Sequence, residues 1–435
     1  MRPVVGFAGM THLGLVSSTA VAAQGFETIC FDADWALTAR LAQADLPILE
    51  PDLDRLLAAN GRRQRFTSDI AALGVCDVVY IAPDVPTDDA GQSDLSGITA
   101  LIGRVACALG SNGVLVILCQ VPPGFTRGLG VLPPERLYYQ VETLVFGRAV
   151  ERAMQPERYI IGCGDPDRPI DPRLAALLGA FGCPVLQMRY ESAELAKISI
   201  NMCLVASVCV ANTLAEICEA IGADWSEIAP SLKLDRRIGP YSYLAPGLGI
   251  AGGNLERDLA TVIGFAETHG TDAGIVRAWI ANSRHRRDWA ARTIAKVLLE
   301  AKPDATLAVW GLAYKENTHS VKNSPSLATI AQLPPSVRLR LHDPAVAPNV
   351  VARAGATGCT DPLTALDGAD ALLILTPWPE YRTVAPTDIA RRLEGRIVLD
   401  PYAVLDAVKT EAAGLSYHTL GRRAETRKAR PHAAS

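Results

Sequence analysis

Short apolar runs punctuate the chain at both ends and disappear from its middle. Val4–Ala8, Thr28–Phe31, Val78–Ala82 and Val114–Cys119 are continuous and ended by turn residues, the pattern of strands buried on both faces. Between them lie Ala- and Leu-rich segments at helical spacing, such as Leu15–Gln24. Alternation of strand and helix predicts right-handed βαβ units and a parallel sheet. The pattern restarts towards the C-terminus, where Leu307–Trp310, Leu339–His342, Leu372–Leu375 and Ile397–Leu399 read as a second, smaller set of strands. From Ser192 to about Arg292 no strand pattern occurs, and Ala193–Ala220 is a helical run apolar on most faces. Such a helix is buried, by the rest of its own chain or by a second subunit. The outline is α/β, helical, α/β, with a polar, basic, Ala-rich tail after Leu420 that is expected to be disordered.

Composition narrows the function classes. The chain has 435 residues, room for two or three domains, with 49% hydrophobic and 20% charged residues, as in globular proteins. Its 42 Lys and Arg against 46 Asp and Glu leave a net charge of −4, which supplies no electrostatic footprint for nucleic acid or an anionic membrane. No run reaches the ~18 apolar residues of a membrane span. The start, MRPVVGFAGM, runs straight into a Gly-rich turn and does not read as a signal peptide. The ten cysteines are scattered, with no C-x-x-C and no paired His cluster, so reduced thiols in a cytoplasmic protein without a metal site are expected.

The first candidate chemistry follows the first strand. Gly9-Met-Thr11-His-Leu-Gly14 stands where a G-x-G-x-x-G phosphate turn would open a helix, with Thr11 in place of the second glycine. Asp32 ends the next strand, where an acid can bind a ribose 2′-hydroxyl and repel a 2′-phosphate, favouring NAD over NADP. The plainer alternative is a tight βα turn with Asp32 as a solvated strand end. His12 reads as a loop residue without chemistry.

Further motifs carry a resemblance. Leu46-Pro-Ile-Leu-Glu-Pro51, Arg65-Phe-Thr-Ser-Asp69, Pro86-Thr-Asp88, Val121-Pro-Pro-Gly124, Gln155-Pro-Glu-Arg158 and Ser192-Ala-Glu-Leu-Ala-Lys197 come in a fixed order. Arg237-Ile-Gly239, Pro246-Gly-Leu-Gly249, Gly311-Leu-Ala-Tyr-Lys315, Asn323-Ser-Pro325 and His342-Asp-Pro344 continue it. Their order and spacing resemble the UDP-glucose/GDP-mannose dehydrogenase family, from about residue 3 to 422. The resemblance implies two Rossmann-like, doubly wound parallel-sheet domains joined by a central long-helix dimerisation region. The domains would be an NAD-binding domain at 1–190, a helical domain at 191–296, a nucleotide-sugar domain at 297–420 and a tail at 421–435. Family members oxidise C6 of a nucleotide sugar twice, with two NAD, and use a cysteine to hold the intermediate as a thioester.

That cysteine falls in this chain at Asn254, in Ala251-Gly-Gly-Asn254-Leu-Glu-Arg-Asp258. An amide has no free nucleophilic lone pair, so the thioester route is closed. Other positions implied by the resemblance are kept. Lys197 and Asn201, one helical turn apart, would stabilise negative charge on the C6 oxygen. Asp258 would help move the proton, and Glu142 matches the first of two family glutamates, the second being Phe146 here. Gln120 replaces a catalytic threonine. Pro86, Thr87 and Lys322, the last in place of an arginine, join Gly9, Thr11, Gly14 and Asp32 as expected NAD contacts. Thr143, Leu144, Arg237, Tyr243, Leu244, Gly249 and Lys315 are the expected substrate contacts. An Asp-Gly-Arg string reads Asp400-Pro-Tyr402.

Structural roles compete with these. Asn254 after two glycines would make a helix N-cap, and Asp258 could bridge Arg257 or Arg237 at a surface. Three functions stay open: a UDP-sugar oxidoreductase limited to one hydride transfer, a redox-neutral enzyme that retains NAD, and a silent NAD- and nucleotide-sugar-binding paralogue that partners an active dehydrogenase. A homodimer through the central helix, and no nucleic-acid or membrane partner, are expected.

Overall fold

The computed structural model describes residues 2–88, 91 and 93–424. Its backbone divides into two compact units, Met1–Asn201 and Met202–Ser435. The first is built on eight strands: β1 Val5–Ala8, β2 Thr28–Phe31, β3 Gln64–Thr67, β4 Val78–Ile81, β5 Val114–Ile117, β6 Leu137–Gln140, β7 Tyr159–Cys163 and β8 Val185–Arg189. They are ordered β3-β2-β1-β4-β5-β6-β7-β8. The first six reproduce the order of a dinucleotide-binding sheet. All pairs are parallel except β6 with β7, so the expected parallel sheet carries one antiparallel join beyond its first six strands.

The continuous apolar runs have a direct cause. Along β4, Val78 and Tyr80 enter one buried cluster, whereas Val79 and Ile81 enter another on the opposite face. β5 divides in the same way, Val114 and Val116 from Leu115 and Ile117. With both faces covered, every position of the central strands β4 and β5 is buried and apolar or aromatic. β3 was missed because it reads Gln-Arg-Phe-Thr, and β8 because Val185 and Leu186 are exposed on an edge.

The second unit holds β9 Thr306–Trp310, β10 Arg338–His342, β11 Ala356–Gly358, β12 Ala371–Ile374, β13 Ile397–Leu399 and β14 Ser416–His418. Their order, β11-β10-β9-β12-β13-β14, repeats the same topology, every pair parallel. The helical run expected at 193–220 is a helix over Tyr190–Ile221. One side of it buries Ala211, Ala215 and Cys218 with Trp225 and Leu244.

Two expectations are corrected. The Tyr190–Ile221 helix spans 32 residues with a window of mean hydropathy 1.8, enough by length and composition to cross a membrane. Core helices meet the same criterion. The tail expected to start at 421 is anchored in its first residues: the Gly421 amide donates to Glu219 at 2.8 Å, and the Arg422 backbone forms an antiparallel bridge with that of Asp224. From 425 onward it lies outside the described residues.

Candidate dinucleotide and catalytic site

The turn between β1 and helix α1, His12–Ala23, is shaped by two close approaches. Gly9 has φ +99°, and a Cβ there would lie 2.8 Å from the Pro83 nitrogen. At Gly14 a Cβ would lie 1.9 Å from the Gly9 carbonyl oxygen, so helix and strand meet only because both residues lack side chains. Asp32 closes the turn by accepting the Met10 amide at 2.8 Å and the Asp34 amide at 3.0 Å. Gly9, Thr11, Gly14 and Asp32 thus come together as expected. The glycines, the α1 N-terminus and an acid at the end of β2 fit the adenosine ribose and pyrophosphate of NAD.

Thr11 does more than fill the second glycine position. Its Oγ1 accepts the Asp84 amide at 2.7 Å, and the Asp84 carboxylate in turn accepts the His12 amide at 3.2 Å. His12 is no idle loop residue. It is buried at the first position of α1, its Nε2 lies 2.9 Å from Glu50, and its ring packs 4.1 Å from that of Phe146. Glu50 also accepts the amides of Gly147 and Ala149, at 3.0 and 2.8 Å. Burial would raise the Glu50 carboxyl, but these three bonds hold it below the usual carboxylate range.

The Glu50 bonds tie the glycine turn to the loop after β6. There Glu142 accepts the Leu144 amide and pairs with Lys197 Nζ at 3.1 Å, in a pocket where the two side chains are 17% and 11% exposed. The Thr143 carbonyl accepts Arg152 Nε at 2.7 Å. Lys197 and Asn201 lie one turn apart on the long helix, with Asn201 buried. Further up that helix, Glu194 accepts the Gly124 and Thr126 amides at 2.6 and 2.9 Å, fixing the Val121-Pro-Pro-Gly124 loop beside Gln120. Pro86 and Thr87 belong to a loop that closes on itself: the Pro86 carbonyl accepts the Asp94 amide, and Thr87 bridges to Ser93.

The second unit holds the other expected residues. Helix Asn254–His269 is capped by Gly253 at φ +92°, whose amide donates to Glu256 at 2.8 Å. The expected N-cap role of Asn254 is therefore wrong; it is the first helical residue and is exposed. Asp258, one turn on, is 1% exposed and 3.6 Å from Arg257 Nε, so it is no surface bridge. The two glycines are required by their neighbours: a Cβ on Gly252 would lie 2.7 Å from the Tyr314 ring, and one on Gly253 would lie 3.3 Å from the Lys322 side chain. Lys315 Nζ lies 5.6 Å over the Tyr314 ring. Lys322, Lys315 and the Asn254 turn therefore share one neighbourhood.

The remaining substrate positions separate. Arg237 is exposed and paired with Asp235 at 2.7 Å, and Tyr243 is half exposed. Leu244 is core, its carbonyl accepting Trp225 Nε1 at 2.7 Å. Gly249 has φ +74° and abuts the Ser283 carbonyl. Tyr402 packs against Gly247, and Asp400 beside it is buried, accepting the Leu405 amide and the Tyr417 hydroxyl, each at 2.8 Å. All ten cysteines are free, and burial pushes Cys209, near the Asn254 helix, up to about 11. Among the described residues no cluster of His, Cys, Asp and Glu could hold a metal.

A sheet of this order, a glycine turn closed by an acid at the end of β2, and a second sheet of the same topology define a two-Rossmann dehydrogenase architecture. The chain belongs to the UDP-glucose/GDP-mannose dehydrogenase family: its NAD-binding domain model matches residues 4–175, its central domain model 191–284 and its UDP-binding domain model 308–407. The chain is 30% identical over 428 residues to the UDP-glucose 6-dehydrogenase TuaD of Bacillus subtilis, covering 95% of this chain and 92% of that one. With the UDP-glucose 6-dehydrogenase of Pseudomonas aeruginosa it shares 29% over 440 residues, 95% and 96% of the two chains. The UDP-glucose dehydrogenase structure from Pyrobaculum islandicum superposes with a TM-score of 0.84 at 26% identity, over 96% of this chain and 97% of that one. The protein is an NAD-dependent enzyme of the nucleotide-sugar dehydrogenase type.

Proposed function

We propose that this protein oxidises a UDP-sugar by a single hydride transfer to NAD and stops at the carbonyl. The observation that carries the reading is Asn254, an exposed amide at the first turn of its helix where the family resemblance places the thiol. Without a nucleophile the carbonyl cannot be held as a thiohemiacetal, and the second oxidation has no route through a thioester. The first oxidation needs none. Bound NAD supplies the carbon that accepts hydride. Lys197 and Asn201 stabilise the alkoxide as the substrate hydroxyl loses its proton, and Asp258 passes that proton on through water. The buried Lys197–Glu142 pair holds the ammonium in position, at 3.1 Å. Of the expected nucleotide-sugar contacts, Thr143 and Leu144 belong to the first unit, and Arg237 and Lys315 are the cationic candidates in the second.

The active form is a cytoplasmic homodimer through the long helix. Val210, Leu214, Ile217 and Ile221 repeat at helical spacing and are between 39% and 71% exposed, an apolar stripe that a second copy would cover.

The test is the number of NADH formed per nucleotide sugar consumed, run to completion with excess NAD on UDP-glucose, UDP-galactose and their N-acetyl forms. One NADH with an aldehyde trapped by hydroxylamine supports the reading, and Asn254→Cys should then move the count towards two. Two NADH from the wild type overturns it. No NADH, with a sugar bound unchanged, overturns it in favour of a silent binding paralogue.

A further inference from the structure

We propose that Trp35 is the adenine platform of the cofactor site: the base of NAD stacks on its indole face, and that contact supplies affinity for the adenosine half of the molecule. The acid at the end of β2 sets where the base must lie. Asp32 accepts the Met10 amide on one carboxylate oxygen and the Asp34 amide on the other, at 2.8 and 3.0 Å. A carboxylate has about four acceptor positions, so room is left for a ribose hydroxyl. The carbon bearing the ribose 2′-hydroxyl is bonded to the carbon that carries adenine. A base held through that ribose therefore comes to rest within side-chain reach of Asp32.

Trp35 opens helix α2, Trp35–Leu41, and its backbone is tied to the same acid. Asp34, whose amide Asp32 accepts, is the N-cap of α2, and its carboxylate accepts the Ala36 and Leu37 amides at 2.9 and 3.2 Å. The Trp35 carbonyl accepts the Thr38 hydroxyl at 3.0 Å, and Thr38 and Leu41 are the residues by which the helix is buried. The turn is thereby fixed in place. A helical side chain leans towards the N-terminus of its helix, so a ring at the first position projects over the residues that precede it, here Asp32 to Asp34. That ring is 72% exposed, and its neighbours Ala33 and Ala36 are exposed and small.

Single exposed apolar residues are ordinary on a protein surface. Trp35 differs from the rest of its kind. Of the six tryptophans in the chain, Trp225, Trp289, Trp310 and Trp378 are buried and Trp279 is half-buried. All five belong to the second unit, so Trp35 is the one tryptophan of the first unit and the one left in solvent. It stands where a flat base arrives. An indole offers a broad π-face that stacks on any base without a hydrogen-bond code, and a covered tryptophan removes about 150–250 Å² from water. Asp32 holds the sugar, and Trp35 is the surface beside it that the base can cover.

The test combines tryptophan emission with calorimetry and involves no turnover, so its outcome is independent of the single-hydride reading. Wild type, Trp35→Phe and Trp35→Ala, each checked for a native melting transition, are titrated with ADP-ribose, AMP and nicotinamide mononucleotide. A stacked purine quenches indole emission. ADP-ribose and AMP should therefore quench the wild type, nicotinamide mononucleotide should not, and both variants should lose the response. By calorimetry Trp35→Ala should weaken ADP-ribose about 5- to 150-fold, the range of one base–aromatic stack, whereas Trp35→Phe, which keeps a ring, should weaken it by about threefold at most. ADP-ribose bound to the wild type without quenching overturns the proposal. So does an alanine variant within about twofold of wild type. A quench that persists in Trp35→Phe overturns it by placing the response on a tryptophan of the second unit. Wild-type emission that changes on dilution but not with ADP-ribose overturns it and gives Trp35 to a subunit contact.

Discussion

Two Gly→Ala substitutions in helices of the first unit should shift stability in opposite directions, and clearance alone decides the sign. Gly103 lies inside helix Ser96–Ala108 with no atom within 4 Å of the position a Cβ would take. There Ala removes backbone freedom from the unfolded chain and should stabilise by about 0.5–1 kcal/mol. Gly14 is also helical, but its Cβ would stand 1.9 Å from the Gly9 carbonyl oxygen, where real Cβ contacts essentially never fall below 3.0 Å. Helix α1 would have to retreat by about 1.1 Å. Almost every residue of α1 is buried, Leu13, Leu15 and Val16 among them, so the retreat opens one contact surface and crowds another. Overpacking of this kind costs about 3 kcal/mol or more at its upper end. For a unit of this size, about 2–4 °C per kcal/mol converts that into a loss of roughly 6–12 °C, against a gain of about 1–4 °C for Gly103→Ala. Displacing the amides that face the pyrophosphate should also cost Gly14→Ala about 100-fold in turnover, the scale of a 1 Å misplacement. Thermal unfolding with and without NAD measures both. Melting points shifted in the same direction, or a Gly14→Ala protein within 2 °C of wild type, would refute the clearance argument.

Two other outcomes follow from the charges. Lys197→Met should lower turnover by about 10²–10³-fold, the scale of losing one oxyanion donor, while leaving NAD affinity within about threefold; an unchanged rate in single-turnover mixing would remove Lys197 from the chemistry. Asp400 is raised above the ordinary carboxylate range by burial, the bonds from Leu405, Val404, Tyr417 and Tyr402 only partly offsetting this. Its folded form therefore binds protons more tightly than the unfolded chain. The stability from this group is fully present below the unfolded carboxylate pKa and falls as pH rises through the higher folded value. Melting scans from pH 4 to 8 should show wild type losing ground to Asp400→Asn, and parallel curves would contradict the assignment.

The strands that were legible in the sequence are buried runs of mainly aliphatic residues; β6, Leu-Tyr-Tyr-Gln, is buried throughout but carries no such run. β2 and β13 match their expected bounds residue for residue, their lengths filled by apolar residues apart from Thr28, whose hydroxyl donates to the Arg63 carbonyl. β3, β8 and β11 carry polar or exposed positions, and their pairing comes from the neighbours they dock on, which no local pattern records. Gly9, Gly14 and Asp32 were readable for a related reason: a residue that must lack a side chain, or must end a given strand with an acid, leaves a mark at a fixed spacing.

The carboxylates that organise the turn and the loops beside it leave no such mark. Glu50 and Glu194 stand inside two of the motifs that carry the resemblance, but nothing in those strings gives either a role; both are buried, and each holds two backbone amides from a segment distant in the chain. A backbone amide has no residue type, so its need for a partner is invisible until the fold brings a carboxylate to it. The same reasoning explains why His12 was misjudged. Its place in the turn suggested a loop residue, but a ring held between Glu50 and Phe146 ties the glycine turn to the loop that carries Glu142. A substitution at Phe146 should therefore be felt at both. The Phe146 ring supplies a packing surface for His12, so substitutions at these two residues are better tested as a pair than singly.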